Sequence, residues 1–316
     1  MLNTQVLVVA LMVWSAVGLQ AETVAERLGY PADARLLIIH GDDIGMCHSA
    51  NTAAFEAFEH GMVTCGSVMV PCPWFLETAA YAKAHPEADL GIHLTLTSEW
   101  KTYRWTPLAP ISLVKGLFDA EGYMHHGVRQ VYQHATATEV ETELRAQINF
   151  ALQHGLNPTH LDSHMGTLYY NPEYLQVALR LAEEYDIPFM FFRPSLELLE
   201  EIGEEGREAF VQLSSEMEKR NIPLLDALPS IPDTPVEDYE AAYKKLIADL
   251  KPGVSLVIVH LADESKEYQA ITGSYPKRLA EFNVFTKPEM KTFIEEQNIH
   301  LIGWKDLLPL WKARQR

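Results

Sequence analysis

Apolar runs and stretches of helical period take turns along this chain. "RLLIIHGDD" (35–43) reads as a buried strand, and "SANTAAFEAFEHG" carries apolar positions at helical spacing up to a stop at Gly61. "VTCGSVMV" (63–70) predicts a second strand, and "PWFLETAAYAKAHP" a helix closed by Pro86. A strand over 88–97, a long acidic helix over 136–155 and the segment "PTHLDSH" (158–164) follow. Further on come "PEYLQVALRLAEEYD" as helix and "IPFMFFRP" as strand, then helical stretches near 197–220 and at "YEAAYKKLIADL". "SLVIVHLAD" is a strand, and a last helix and strand lie near 287–303.

Alternation of this kind predicts parallel strands joined by helical crossovers, and continuous apolar strands predict a sheet covered on both faces. The expected fold is α/β, a single closed or nearly closed (β/α) barrel of about seven parallel strands. No Ser-, Gly- or Pro-rich linker and no internal repeat divides the chain, so residues 22–316 are expected to form one domain. The longest irregular stretch, residues 98–135, carries Trp100, Tyr103, Arg104, Trp105, Phe118 and Tyr123, and is expected to cover the active face.

Residues 5–18, "QVLVVALMVWSAVG", have the length of a signal-peptide apolar region, and Ala21 offers a small residue at a cleavage site before Glu22. The run is short for a membrane span. Residues 1–21 are therefore expected to be a signal peptide rather than an uncleaved anchor or a buried first helix, with the mature protein periplasmic or secreted and not inserted in a membrane. Asp and Glu total 43 against 25 Lys and Arg, a formal charge of -18, and no basic stripe is present to follow a phosphate backbone. Nucleic acid is thereby excluded as an expected partner. The three cysteines, Cys47, Cys65 and Cys72, allow at most one disulfide and read as small buried residues.

Polar residues gather where strands end. Asp42 and Asp43 close the first strand, His93 sits in "GIHLTL", His160, Asp162 and His164 in "HLDSH", and His260 ends "SLVIVH". Carboxyl ends of barrel strands converge on one face, so four distant segments place acids and imidazoles in one rim. Two adjacent carboxylates repel each other at such a rim, and a divalent cation resolves the conflict: it binds one, beside two neutral imidazoles, and leaves the other to accept a proton from water. Taken singly, an Asp pair is also a helix cap with a solvated neighbour, and a strand-end His is also a structural hydrogen-bonding residue.

"LLIIHGDDIGMCHSANTAAFEAFEHGMVTCGSVMV" resembles the opening of the YdjC-like carbohydrate deacetylases, the family of chitooligosaccharide deacetylase. "GIHLTLT" and "PTHLDSH" match the next two motifs of that family in order and spacing, and the resemblance runs from about residue 35 to the end. It implies a deformed barrel related to the NodB-type polysaccharide deacetylases. It also implies one divalent metal ion, zinc or magnesium, held by Asp43, His93 and His164, with Asp42 as general base and His260 as the acid that protonates the leaving amine. His160 is then a supporting or structural residue. The implied activity is hydrolytic removal of acetyl groups from an N-acetylated saccharide, with Arg104, Trp105 and Tyr169 as candidate sugar contacts.

Two departures bear on the substrate: "MGTLYY" follows "DSH" where many members have a further His-x-His run, and "HLAD" stands for the late His-Pro-Gly. Met165, Thr167, Tyr169 and Tyr170 thus present a different floor, and the sugar is left open. Hydrolysis of another amide or an O-acyl ester is the first alternative. An exported carbohydrate-binding protein without turnover is the second.

Overall fold

In the computed structural model, which describes residues 22–315, the apolar run at 35–44 forms the strand on which the rest is hung. This strand, β1 (Arg35–Ile44), is followed by β2 (Cys65–Val68), β3 (Leu90–Leu94), β4 (Leu161–Ser163), β5 (Gly253–His260) and β6 (Ile299–Leu301). All pairings are parallel, in the order β4-β3-β2-β1-β5. β5 runs beside β1 from Arg35 to Asp42, β2 pairs its far half from His40, and β6 pairs its first three residues. Leu36, Leu37, Ile38 and Ile39 are fully buried, as expected of a strand covered on both faces.

The helices are α1 (Val24–Arg27), α2 (His48–His60), α3 (Phe75–Ala84), α4 (Val128–His134), α5 (Ala137–Gln153), α6 (Pro172–Tyr185), α7 (Leu196–Lys219), α8 (Tyr239–Ala248), α9 (Lys266–Ile271), α10 (Tyr275–Thr286), α11 (Pro288–Glu296) and α12 (Trp304–Lys312). Local chemistry sets several of their starts. Thr136 and Glu139 form a reciprocal capping box on α5, and Asn171 accepts from Glu173 N and Tyr174 N ahead of Pro172 on α6.

Among the described residues six strands are found where about seven were expected. The difference lies in "IPFMFFRP", which joins the ring through single bridges. Leu161 pairs with Phe189, Phe192 with Leu225, and Ala227 with Ser255 of β5, all parallel. Residues near 189–192 and 225–227 thus act as two short staves between β4 and β5, and the sheet curls into a deformed barrel. Helices α1, α4, α9, α10 and α12 have no counterpart in the sequence pattern, and α4 falls within the stretch 98–135 expected to be irregular. The three cysteines are buried and free. The expected signal peptide, residues 1–21, lies outside the described residues.

Candidate active site

Register places the polar residues before any side chain is considered. Asp42 on β1 stands opposite His260 on β5, and His93 on β3 opposite Asp162 on β4. Alternation along a strand would send Asp42 and Asp43 to opposite faces. The pairing with β2 shifts register between Gly41 and Ile44, and Asp43 adopts φ +62°, a left-handed conformation that Asp tolerates better than most residues. That turn brings both carboxylates to one cavity of about 350 Å³, lined also by His93, Glu99, Asp162, His164, His260 and Arg278.

Asp43 is 1 % exposed, and its two oxygens have different surroundings. Oδ2 accepts a hydrogen bond from the Arg278 guanidinium at 2.7 Å, with His260 Nε2 4.0 Å away. Oδ1 lies 3.2 Å from His164 Nδ1 and 3.5 Å from His93 Nε2, yet neither contact has hydrogen-bond geometry and this buried oxygen accepts no hydrogen bond. The opposite nitrogen of each imidazole is tied to a carboxylate: His93 Nδ1 to Asp162 at 2.7 Å, and His164 Nε2 to both oxygens of Glu99 at 3.1 Å. A carboxylate can only accept, so each outer nitrogen carries its proton and each inner nitrogen can turn a lone pair toward Asp43 Oδ1.

Charge in this site is strongly coupled. Burial alone would raise the Asp43 carboxyl, but Arg278 and the two imidazoles hold it well below the usual range. Burial would likewise lower His164, and Glu99 with Asp43 instead pushes it up to about 9. His93 is held above its ordinary value against burial by Asp162 and Asp42. Without a cation these imidazoles are therefore driven toward protonation by surrounding acids. A buried oxygen with no donor, two imidazole nitrogens turned on it and an excess of carboxylate together fit a divalent cation, and the three ligand atoms lie within 4.8 Å of one another.

Below this layer, His40 Nε2 lies 2.9 Å from Asp162 Oδ2 and 3.0 Å from Asp42 Oδ1, and Ser67 Oγ donates to Asp42 at 3.3 Å. Asp42 is thus held by neighbours while still lining the cavity. His160 points elsewhere: it is fully buried and stacks on Trp304 at 4.9 Å, and a Cβ on Gly91 would come within 2.4 Å of its ring. Burial next to His40 keeps it well below the usual histidine range, so it is a neutral core residue.

The structure brings Tyr169 to the cavity, its hydroxyl donating to Met190 O at 2.7 Å, but not the other two candidate sugar contacts. Trp105 is 3 % exposed and donates its indole N–H to Thr97 O. Arg104 pairs with Asp119 at 2.7 Å and donates to Met124 O, knitting residues 98–126 together from inside. Both are drawn inward because an irregular segment needs its own core and its own partners for backbone carbonyls. Met165, Tyr170, Phe192, Leu228 and Ile258 form the apolar wall instead. Glu99, Arg278 and His40 were not singled out by the sequence. Glu99 had a faint signal, standing two residues beyond the "LTLT" run, whereas Arg278 had none.

The chain is similar to several known proteins. Over 283 residues the chain is 34 % identical to a carbohydrate deacetylase of Thermus thermophilus, covering 89 % of this chain and 96 % of that relative. It is 27 % identical over 279 residues to a chitooligosaccharide deacetylase of Yersinia enterocolitica, covering 86 % and 99 %. A crystal structure from Enterococcus faecalis, described as a candidate cellobiose-phosphate cleavage protein, superposes with a TM-score of 0.71 at 26 % identity, covering 87 % of this chain and 99 % of that one. The family model of the YdjC-like proteins matches residues 36–296, a span that includes Asp42, Asp43, His93, His164 and His260, and the chain belongs to that family.

Proposed function

We propose that this chain is a metal-dependent carbohydrate deacetylase, hydrolysing the acetamide of an N-acetylated saccharide with Asp43, His93 and His164 as ligands to one divalent cation, zinc or magnesium. The observation that carries the reading is Asp43 Oδ1, buried, without a hydrogen-bond donor, and faced by one nitrogen of each imidazole. The names of its relatives supply the reaction and the substrate class. A cation bound there would polarise the acyl carbonyl and make water more acidic.

The protein's own groups do the rest. Asp42 reaches the cavity beside Asp43 and takes the proton of the attacking water, as a carboxylate can and an amide cannot. His260, on the rung next to Asp42 and lining the same cavity, donates its proton to the leaving amine as the C–N bond breaks. Arg278 holds Asp43 Oδ2, which leaves Oδ1 as the ligand atom. Tyr169, with the exposed Tyr170 at the mouth, offers apolar faces on which a sugar ring can lie.

Metal analysis of purified protein, joined to acetate release from a panel of N- and O-acetylated sugars, tests the proposal. Stoichiometric metal and release abolished by chelator are expected. Turnover that ignores chelator in protein without metal would overturn the metal reading. Release from O-acetylated sugars alone would keep the cation and change the bond. Binding of acetylated sugars with no release under zinc, magnesium, manganese or cobalt would leave a binding protein.

A further inference from the structure

Each ligand of the proposed cation has one outer atom held by a partner, and the three partners come from different parts of the molecule. Asp162 belongs to β4 and Arg278 to α10, both packed into the barrel. Glu99 belongs to the excursion over residues 98–126. That excursion is knit internally: Ser98 N donates to His125 O, Met124 N to Trp105 O, and Ser98 Oγ accepts from Trp105 N, while Arg104 ties Asp119 and Met124 together. These bonds join its two ends to one another, while Leu108 N and Ala109 N are held by Glu143 of α5. Glu99 is the residue through which it hydrogen-bonds to the ligand set, and both of its oxygens face His164 Nε2 at 3.1 Å.

Resting on the metal reading above, we propose that Glu99 is a positioning residue that couples the excursion to the cation. By accepting the Nε2 proton of His164, it fixes the tautomer and ring orientation in which Nδ1 is free to bind metal. His164 has no other hydrogen-bonded side chain on that nitrogen among the described residues. A carboxylate behind a ligating imidazole contributes about 10–100-fold in metal affinity. Coupling is reciprocal: if a seated excursion tightens the metal, bound metal must stabilise the seated excursion. The seating of residues 98–126 then reports metal occupancy, and that segment should open more readily in metal-free than in metal-bound protein.

Zinc affinity by competition with a chromophoric chelator, and amide hydrogen exchange over residues 98–126 in metal-free and zinc-loaded protein, test this without substrate. The unchanged protein should bind zinc and gain protection in that segment on binding. Glu99→Gln should stay folded, bind zinc about 10–100-fold more weakly, and show a smaller gain at saturating zinc. Glu121→Gln, an exposed change in the same segment, should match the unchanged protein. Glu99→Asp, which withdraws the carboxylate by one methylene, replaces the Gln variant should that one not fold. Undiminished affinity in either Glu99 variant, or an undiminished zinc-dependent gain in protection, would overturn the coupling. Failure of the unchanged protein to take up any metal would instead overturn the reading on which it rests.

Discussion

Adjacent aspartates on a regular strand face opposite ways, and it is the left-handed backbone at Asp43 that lets Asp42 and Asp43 share a cavity. This gives the pair separable roles. Asp42→Asn keeps the size and an acceptor for Ser67, so metal should be retained while the rate of acetate release falls about 10²–10⁴-fold, the usual cost of losing a general base. Parallel loss of metal and activity would make Asp42 a ligand. Arg278 gives a second test. Replacing one partner of a buried ion pair costs about 3–5 kcal/mol, because the remaining charge is left uncompensated. Thermal unfolding of Arg278→Met should show that loss in chelator and a smaller one in zinc, where the cation neutralises Asp43; an equal loss in both would separate Arg278 from the metal site. Residues at strand ends were legible because topology brings such ends together. Arg278 was not, since it meets Asp43 across 235 positions and nothing in its neighbourhood marks it.

At the scale of elements, α5 does more than cross over between strands. It was readable as a long acidic helix over 136–155, but its buried Glu143 and Gln147 hold the excursion and the end of β3 from below. Glu143 accepts from Leu108 N and Ala109 N, and Gln147 holds both the N–H and the carbonyl of Thr95. Burial raises the Glu143 carboxyl to about 7 against the pull of those donors. Its folded value therefore lies above its unfolded one, near 4.5. Between these the folded state holds a proton that the unfolded state has lost, so the group's stabilisation is complete below about pH 4.5 and declines until about pH 7. Unfolding of the unchanged protein and of Glu143→Gln at pH 5 and 7 should show the unchanged protein losing more stability with rising pH, by about 3 kcal/mol at most. Identical pH dependence would mean that Glu143 is ionised throughout. Periodicity finds α5 and fails for α10, where "SYPKRLAEFNVF" mixes charge and apolar residues and buries only some of its apolar side chains.

On the scale of the whole molecule, alternation announced the barrel, but its closure was only half legible. The staves near 189–192 and 225–227 pair through single bridges, too short for a period of two to register, and the second lies in a stretch broken by Pro223 and Pro229. The same reasoning from local chemistry applies to the first described helix. Thr23 and Glu26 form a reciprocal capping box that starts α1, Val24 and Ala25 are buried in the main core, and Arg27 donates to Asn221 O at 2.7 Å. We propose that cleavage after Ala21 yields the exported mature protein, whose first residue, Glu22, then stands just ahead of that cap. Protein recovered from the native host should begin at or near Glu22; intact Met1 on soluble cytosolic protein would overturn export. A chain beginning at Glu22 should unfold at the same temperature as a full-length one, because it keeps the cap and the buried pair. Starting at Leu28 removes Val24 from the core, which costs about 2 kcal/mol, and the melting temperature should drop by several degrees. If both truncations melted alike, α1 would be an appendage whose buried side chains contribute nothing to the barrel's stability.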